Sequence, residues 1–358
     1  MKKTLVLEVD SQKPEAEKIR IAAAFIQKGG LVAFPTETVY GLGADALNPK
    51  AVLALFKAKK RPSDNPPIVH VGNAKDVYKL AKAVSPKAER LMKEFWPGPL
   101  TLIFQRSEIV PDVTVAGLGT IAIRIPRHNV ALALIRESAC PIAAPSANLA
   151  GKPSPTSAKH VLDDLNGRID AILDAGPTQV GVESTVSDMT TDPPQVLRPG
   201  GTPYEVLKRV LGKVELNPIA VAEKALPIGK ARSPGMKHKH YAPDADVIVV
   251  EGELSAVVDK VKELVGFYMK KGSKVGVLAT DETAEHYSAD VVKSLGSRSD
   301  LAIIAKNLFR LLREFDLEGV GIIIAEGIPA EGLGLAVMNR LRKASGYKIV
   351  KASDTSNH

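Results

Sequence analysis

The sequence predicts an α/β protein of two domains: a twisted mixed sheet with helices over residues 1–212, and a smaller domain on a parallel sheet over 245–358. Three observations carry this. Up to Gly212, short apolar runs of strand length alternate with helical periodicity at irregular spacing, which favours a mixed sheet over a doubly wound one. From Ala245 onward, strand and helix patterns alternate strictly as βαβαβα, the order a parallel sheet requires. Between them, residues 213–244 lack periodicity and read as a linker.

The elements follow in order. In 15–28, Ile19, Ala22, Ala23 and Ile26 recur at helical spacing until Gly29-Gly30 stops the helix. Residues 31–34 form a buried strand, ended by Pro35, which lacks an amide donor. Asn48-Pro49 opens a second helix that runs to about Lys57. The prolines of KAKKRPSDNPP make 59–67 a loop before a strand over 68–71. Helices over 74–83 and 85–95 precede the turn WPGP at 96–99 and a strand over 100–104. Further strands are read at 120–125, 141–145, 171–174, 184–188 and 195–197, and helices at 129–138, 157–165 and 203–211. The second domain has strands at 247–250, 274–279 and 319–325 and helices at 255–270, 301–314 and 335–344. No GxGxxG follows its first strand, so a dinucleotide site there is not supported.

Composition bounds the function. The 358 residues are 45% apolar and 25% charged, as in an ordinary globular protein, and no run of about 18 apolar residues exists to span a membrane. The start MKKTLVLEVD carries two lysines, but acids follow too soon for a signal peptide, so a cytoplasmic location is expected. Cys140 is the single cysteine, which excludes an internal disulfide and a multi-cysteine zinc site. Standing before Pro141 in an apolar run, it reads as a buried structural thiol. The net charge of +8 fits an anionic ligand such as a nucleotide or RNA, although the surface lysines of a heat-stable protein give the same number.

Chemistry gathers after the strands. Thr36, Glu37 and Thr38, then Tyr40, Gly41 and Gly43, follow Pro35 directly, where glycines let backbone approach a ligand. The same stretch also reads as a plain loop. Lys57, Lys59, Lys60 and Arg61 precede the rigid Pro62-Ser63-Asp64-Asn65, a shape suited to phosphate; the plainer reading is a solvated turn at a helix end. Arg124 stands mid-strand in IAIRIP, sharing a face with Ala122. It either pairs with a core carboxylate or grips a ligand carboxylate. APSANLAGKPSP offers Ser146, Asn148, Lys152 and Ser154 without a serine-nucleophile triad, and VLRPGG offers Arg198 as a second phosphate clamp. His238 and His240 suggest a metal only weakly, and the acids form no paired set, so no metal is assigned to protein side chains.

Taken together, PTETVYGLG (35–43), KAKKRP (57–62), PGPLTLI (97–103), AIRIP (122–126), APSAN (144–148), VESTV (182–186) and LRPGG (197–201) resemble the threonylcarbamoyl-AMP synthase family, the YrdC-type enzymes. The seven stand in family order across nearly the whole first domain. The linker SPGMKHKHYAP (233–243) and the second domain are similar to the family's long form. The resemblance implies a YrdC-like twisted sheet, a Rossmann-like C-terminal domain, and a nucleotidyltransferase. Its reaction would convert L-threonine, bicarbonate and ATP, with Mg2+, into threonylcarbamoyl-AMP, pyrophosphate and water. The product would feed the tRNA threonylcarbamoyl-transfer machinery.

By the same resemblance, Thr38 with Thr36, His70, Arg124, Ala144 and Ser184 line the threonine side. Lys59, Arg61, Asn65, Thr120, Ser146, Asn148, Ser154 and Arg198 hold ATP, and Tyr241 reaches over the nucleotide from a linker acting as a lid. Lys59, Arg61 and Arg124 carry the catalysis, which is positioning and charge stabilisation without an enzyme nucleophile. The competing reading is an RNA-binding or ribosome-associated module without chemistry. It needs a basic stripe with interleaved aromatics, and aromatics are only 4% of this chain. Carbamoyl transfer of the hydrogenase-maturation type would require zinc-finger segments that one cysteine excludes.

Overall fold

A computed structural model of the chain describes residues 3–225 and 240–352. Among these, residues 3–150 and 154–220 form one compact unit, and 151–153, 221–225 and 240–352 form a second. The first runs β1 (Leu5–Glu8), α1 (Ala16–Gln27), β2 (Val32–Phe34), β3 (Gly41–Asp45), α2 (Pro49–Ala58), β4 (Val69–His70), α3 (Val77–Leu80), α4 (Pro86–Phe95), β5 (Leu100–Gln105) and β6 (Thr120–Arg124). It continues with α5 (Asn129–Ser138), β7 (Ile142–Ala143), α6 (Ala158–Leu165), β8 (Ala171–Asp174), β9 (Thr185–Asp188), β10 (Gln195–Arg198), α7 (Tyr204–Leu211), β11 (Glu215–Leu216) and α8 (Pro218–Val221).

The strands join in the order β1-β8-β2-β3-β7-β4-β6-β5-β9-β10-β11. Parallel pairs such as β4–β6 and antiparallel pairs such as β5–β6 make the sheet mixed. Alternation sorts each strand between two environments. Ile121, Ile123 and Ile125 join Leu100, Leu102 and Phe104 in the core beneath α3 and α4. Ala122, Ile103, Ile68, Val186 and Leu197 gather on the opposite face. At the other end, Val32 and Phe34 pack on α1 and α5, while Ala33 packs on α2 and α6. Helix starts are written locally: Asn48 accepts hydrogen bonds from the Lys50 and Ala51 amides ahead of Pro49, and Ser85 accepts one from Ala88.

The second unit holds β12 (Asp246–Glu251), α9 (Leu254–Lys270), β13 (Val275–Ala279), β14 (Val291–Ser294), α10 (Leu301–Leu317), β15 (Ile322–Glu326), α11 (Leu333–Ala344) and β16 (Ile349–Lys351). Its sheet, ordered β14-β13-β15-β12-β16, is parallel at every pairing.

Several elements differ from the sequence reading. Residues 41–45 are a strand, antiparallel to β2, where glycines had suggested loop alone. β1, β14 and β16 are additional to the sequence reading; each lies at an edge of its sheet and none of its residues is buried, so it lacks the signature of a buried strand. The expected helix over 74–83 is a 3-10 turn at Ala74–Asp76 followed by the single α-helical turn α3, since Ala81 turns extended. The stretch after Gly212, read as aperiodic linker, contains β11 and α8.

Candidate functional site

One end of the Ala122 face is polar. His70 on β4 lies opposite Arg124 on β6, and Thr101 of β5 is next across the sheet. Ser184 precedes β9, and a bulge in β10 brings Arg198 opposite Val186. All five are buried. Arg198 donates from Nε and Nη2 to the Ser184 carbonyl at 3.1 and 2.9 Å, and Nη2 reaches the Ser184 hydroxyl at 3.2 Å. That hydroxyl lies 2.8 Å from Thr101 Oγ1.

The β2–β3 turn delivers the next groups. Thr36 Oγ1 donates to the Val39 carbonyl and accepts from the Thr38 and Val39 amides, which folds the turn on itself. The carbonyls of Glu37 and Thr38 accept from the amides of Val180 and Gly181, pinning it to the neighbouring loop. Arg124 then meets it at Thr38 and Glu37 and is also held by Gly98, ahead of β5. Nε donates to the Gly98 carbonyl at 3.1 Å, Nη1 donates to Thr38 Oγ1 at 3.0 Å, and Nη2 lies 2.7 Å from Glu37 Oε2. Of the two readings of Arg124, the core carboxylate is thus present. The Glu37 contact falls outside hydrogen-bond geometry, so Nη2 and both Glu37 oxygens keep hydrogen-bonding capacity.

His70 is a neutral imidazole. Burial, and then the charge of Arg124, push its pKa down to about 3. Its Nδ1 is buried without a hydrogen-bond partner, so it is not the satisfied core histidine that a lone strand histidine suggests. Ala144 follows β7 and donates its amide to the Ile68 carbonyl at 2.8 Å, which sets it beside the strand of His70.

The 144–148 segment links this polar row to a second cluster. Gly41 bridges to Ser146, and Lys59 at the end of α2 donates its ammonium to the carbonyls of Ser146 and Asn148. Lys59 is 1% exposed, so its charge is held inside the fold rather than displayed on a solvated turn. Arg61 Nη2 donates to the Asn65 carbonyl at 3.1 Å, closing the loop into a hook, and the Asn65 side chain is buried with Oδ1 unpartnered. Ser154 donates to Glu183 Oε1 at 2.6 Å, one residue before Ser184.

The structure therefore brings together Thr36, Thr38, His70, Arg124, Ala144, Ser184 and Arg198, and joins them through one segment to Lys59, Ser146 and Asn148. Thr120 shares the face of Arg124 but starts the strand, about 13 Å away at four residues' rise. Tyr241 belongs to the second unit, where it packs on Phe309 with Arg340 over its ring. His238 and most of the 233–243 linker lie outside the described residues, and with them the expected lid. Glu37, Thr101 and Glu183 were not assigned from sequence, although all three stand inside motifs already singled out. Cys140 is only partly buried, and burial with Asp45 nearby pushes its thiol up to about 12. Among the described residues no group of three or more His, Cys, Asp or Glu is placed to hold a metal, and no helix is long and apolar enough to cross a membrane.

A family model described as telomere recombination matches residues 24–200, and one described as the threonylcarbamoyl-AMP synthase C-terminal domain matches 203–346. The threonylcarbamoyl-AMP synthase of Pyrococcus abyssi is 53% identical over 97% of this chain and 99% of its own length. That of Bacillus subtilis is 50% identical over 93% of this chain and 94% of its own. The crystal structure of P. abyssi Sua5 complexed with L-threonine superposes with a TM-score of 0.92 at 51% identity, covering 98% of this chain and all of that one.

Proposed function

The chain belongs to the threonylcarbamoyl-AMP synthase family, and from that premise we propose that it condenses L-threonine, bicarbonate and ATP into threonylcarbamoyl-AMP, pyrophosphate and water. The amine of threonine adds to bicarbonate and water leaves. A carbamate oxygen then attacks the α-phosphate of ATP, and pyrophosphate departs. The protein supplies no nucleophile; it aligns three reactants and stabilises charge.

The observation that carries this reading is Arg124. Its buried guanidinium donates two hydrogen bonds, leaving three of its five N–H groups, one on Nη1 and both on Nη2, for the bidentate grip of an amino acid carboxylate. Thr38, Ser184, Ala144 and neutral His70 surround the rest of the threonine. A neutral imidazole is a suitable neighbour, because a cation there would trap the carbamate rather than release it to phosphorus. Lys59, Arg61, Asn65, Ser146, Asn148, Ser154, Thr120 and Arg198 take the ATP side. Lys59 and Arg61 sit with the phosphates and oppose the charge that builds during displacement. Mg2+ would enter on the ATP phosphates, whose oxygens suit a hard cation. Catalysis belongs to residues 1–212, with 213–244 as connecting segment and 245–358 as an accessory domain. The enzyme works in the cytoplasm, ahead of the machinery that transfers the threonylcarbamoyl group to tRNA.

The test is threonine binding by calorimetry. Arg124→Ala is expected to lower affinity for L-threonine by about 100-fold or more while leaving ATP binding within about threefold. Equal affinity for threonine in both proteins would contradict the assignment.

A further inference from the structure

We propose that Glu37 is a positioning residue for the amino acid substrate: it acts through Arg124, fixing which edge of the guanidinium is presented to the threonine carboxylate. This rests on the reading above and adds a residue to it.

An arginine with 4% of its side chain exposed needs a counter-charge, because an isolated charge is costly to hold away from water. Glu37 is the carboxylate in contact with it, at 2.7 Å and with 1% of its side chain exposed. Glu37 is itself immobilised. Its carbonyl accepts from Val180, the next residue's carbonyl accepts from Gly181, and the turn is closed by Thr36. A glutamate on a pinned turn offers one fixed point of negative charge. Gly98 and Thr38 fix the other two contacts, so the fork has a single orientation. The N–H groups left over on Nη1 and Nη2 then define where a ligand carboxylate lands and in which plane. Without the Glu37 charge, the guanidinium can swing toward any acceptor nearby, and a carboxylate held there is held in several poses. The effect falls on the threonine half of the site, since Lys59 and its carbonyl partners involve neither Glu37 nor Arg124.

Glu37→Gln keeps the shape and removes the charge. In the full-length protein, pyrophosphate release titrated with L-threonine at saturating ATP and bicarbonate is expected to show KM for threonine raised about tenfold or more. KM for ATP should stay within about twofold, and Glu37→Asp should fall between wild type and Glu37→Gln. A merely structural role would move both KM values together, and that result would overturn the proposal. So would an unchanged threonine KM, or tighter threonine binding, which would make Glu37 a competitor instead. Should Glu37→Gln not fold, Glu37→Asp decides on the same two KM values. Calorimetric titration of wild type with L-threonine separates the two levels. Wild type that neither binds threonine nor turns it over overturns the function and this proposal together. A working wild type with an unaffected Glu37→Gln overturns this proposal alone.

Discussion

His70 carries a consequence that can be measured away from catalysis. In the unfolded chain its imidazole gains a proton near its ordinary value of 6.5, whereas in the fold it does so only at about 3. Between those values the unfolded state binds a proton that the folded state excludes. Stability from this group is therefore complete above about pH 6.5 and falls as pH drops toward 3, by at most about 1.4 kcal/mol per pH unit. Urea unfolding of wild type and His70→Gln at pH 7, 5.5 and 4.5 should show a steeper loss in wild type. Identical slopes would mean that His70 is not held neutral. The same reasoning makes activity insensitive to His70 ionisation across the neutral range. At this scale the sequence marked which polar residues stand out from their surroundings and was silent about their partners. IAIRIP announced a charge within an apolar strand, but the carboxylate that meets it is 87 positions earlier, from Glu37 to Arg124, and periodicity says nothing about such distant pairs.

Between residues and the whole, the elements that build the site are a turn, a bulge and a glycine contact. Gly200 follows Arg198 so closely on the 183–185 backbone that an added Cβ would stand 2.3 Å from the Glu183 carbonyl oxygen and 2.4 Å from the Ser184 carbonyl carbon. Those are backbone atoms and cannot rotate away. Gly200→Ala must displace the segment that carries Ser184. It should destabilise the protein by about 1–3 kcal/mol, and it should weaken threonine binding more than a core substitution of equal cost. Unfolding midpoint and threonine affinity, both unchanged in this variant, would refute the close packing. The motif LRPGG at 197–201 was legible as a candidate clamp around Arg198, whereas the closeness of Gly200 to Ser184 was not, because it depends on the β9–β10 register and the bulge within it. For the same reason 41–45 read as loop. Glycines weaken a strand in isolation, but here they let β3 pass Phe34 and Ile142, with an added Cβ at Gly43 standing 2.8 Å from Ile142 Cγ2.

At the scale of the molecule, two units divide the chain, and the polar row with its Lys59 cluster lies in the first. The mixed sheet there and the parallel sheet after residue 245 were both readable, since irregular and regular alternation of strand and helix differ along the sequence itself. Strand order was not, because hydrogen-bonded neighbours such as β5 and β9 are far apart in the chain. A chain of net charge +8 invites comparison with RNA binders. A polar row of buried, mutually bonded side chains on a sheet face is instead the form of a small-molecule site.

The most direct test is pyrophosphate release from ATP by the purified full-length protein, with L-threonine and bicarbonate each added, omitted and combined. Release that requires both is the expected result. Release that proceeds without threonine, or no release at all beside tight and salt-sensitive RNA binding, would contradict the assigned reaction.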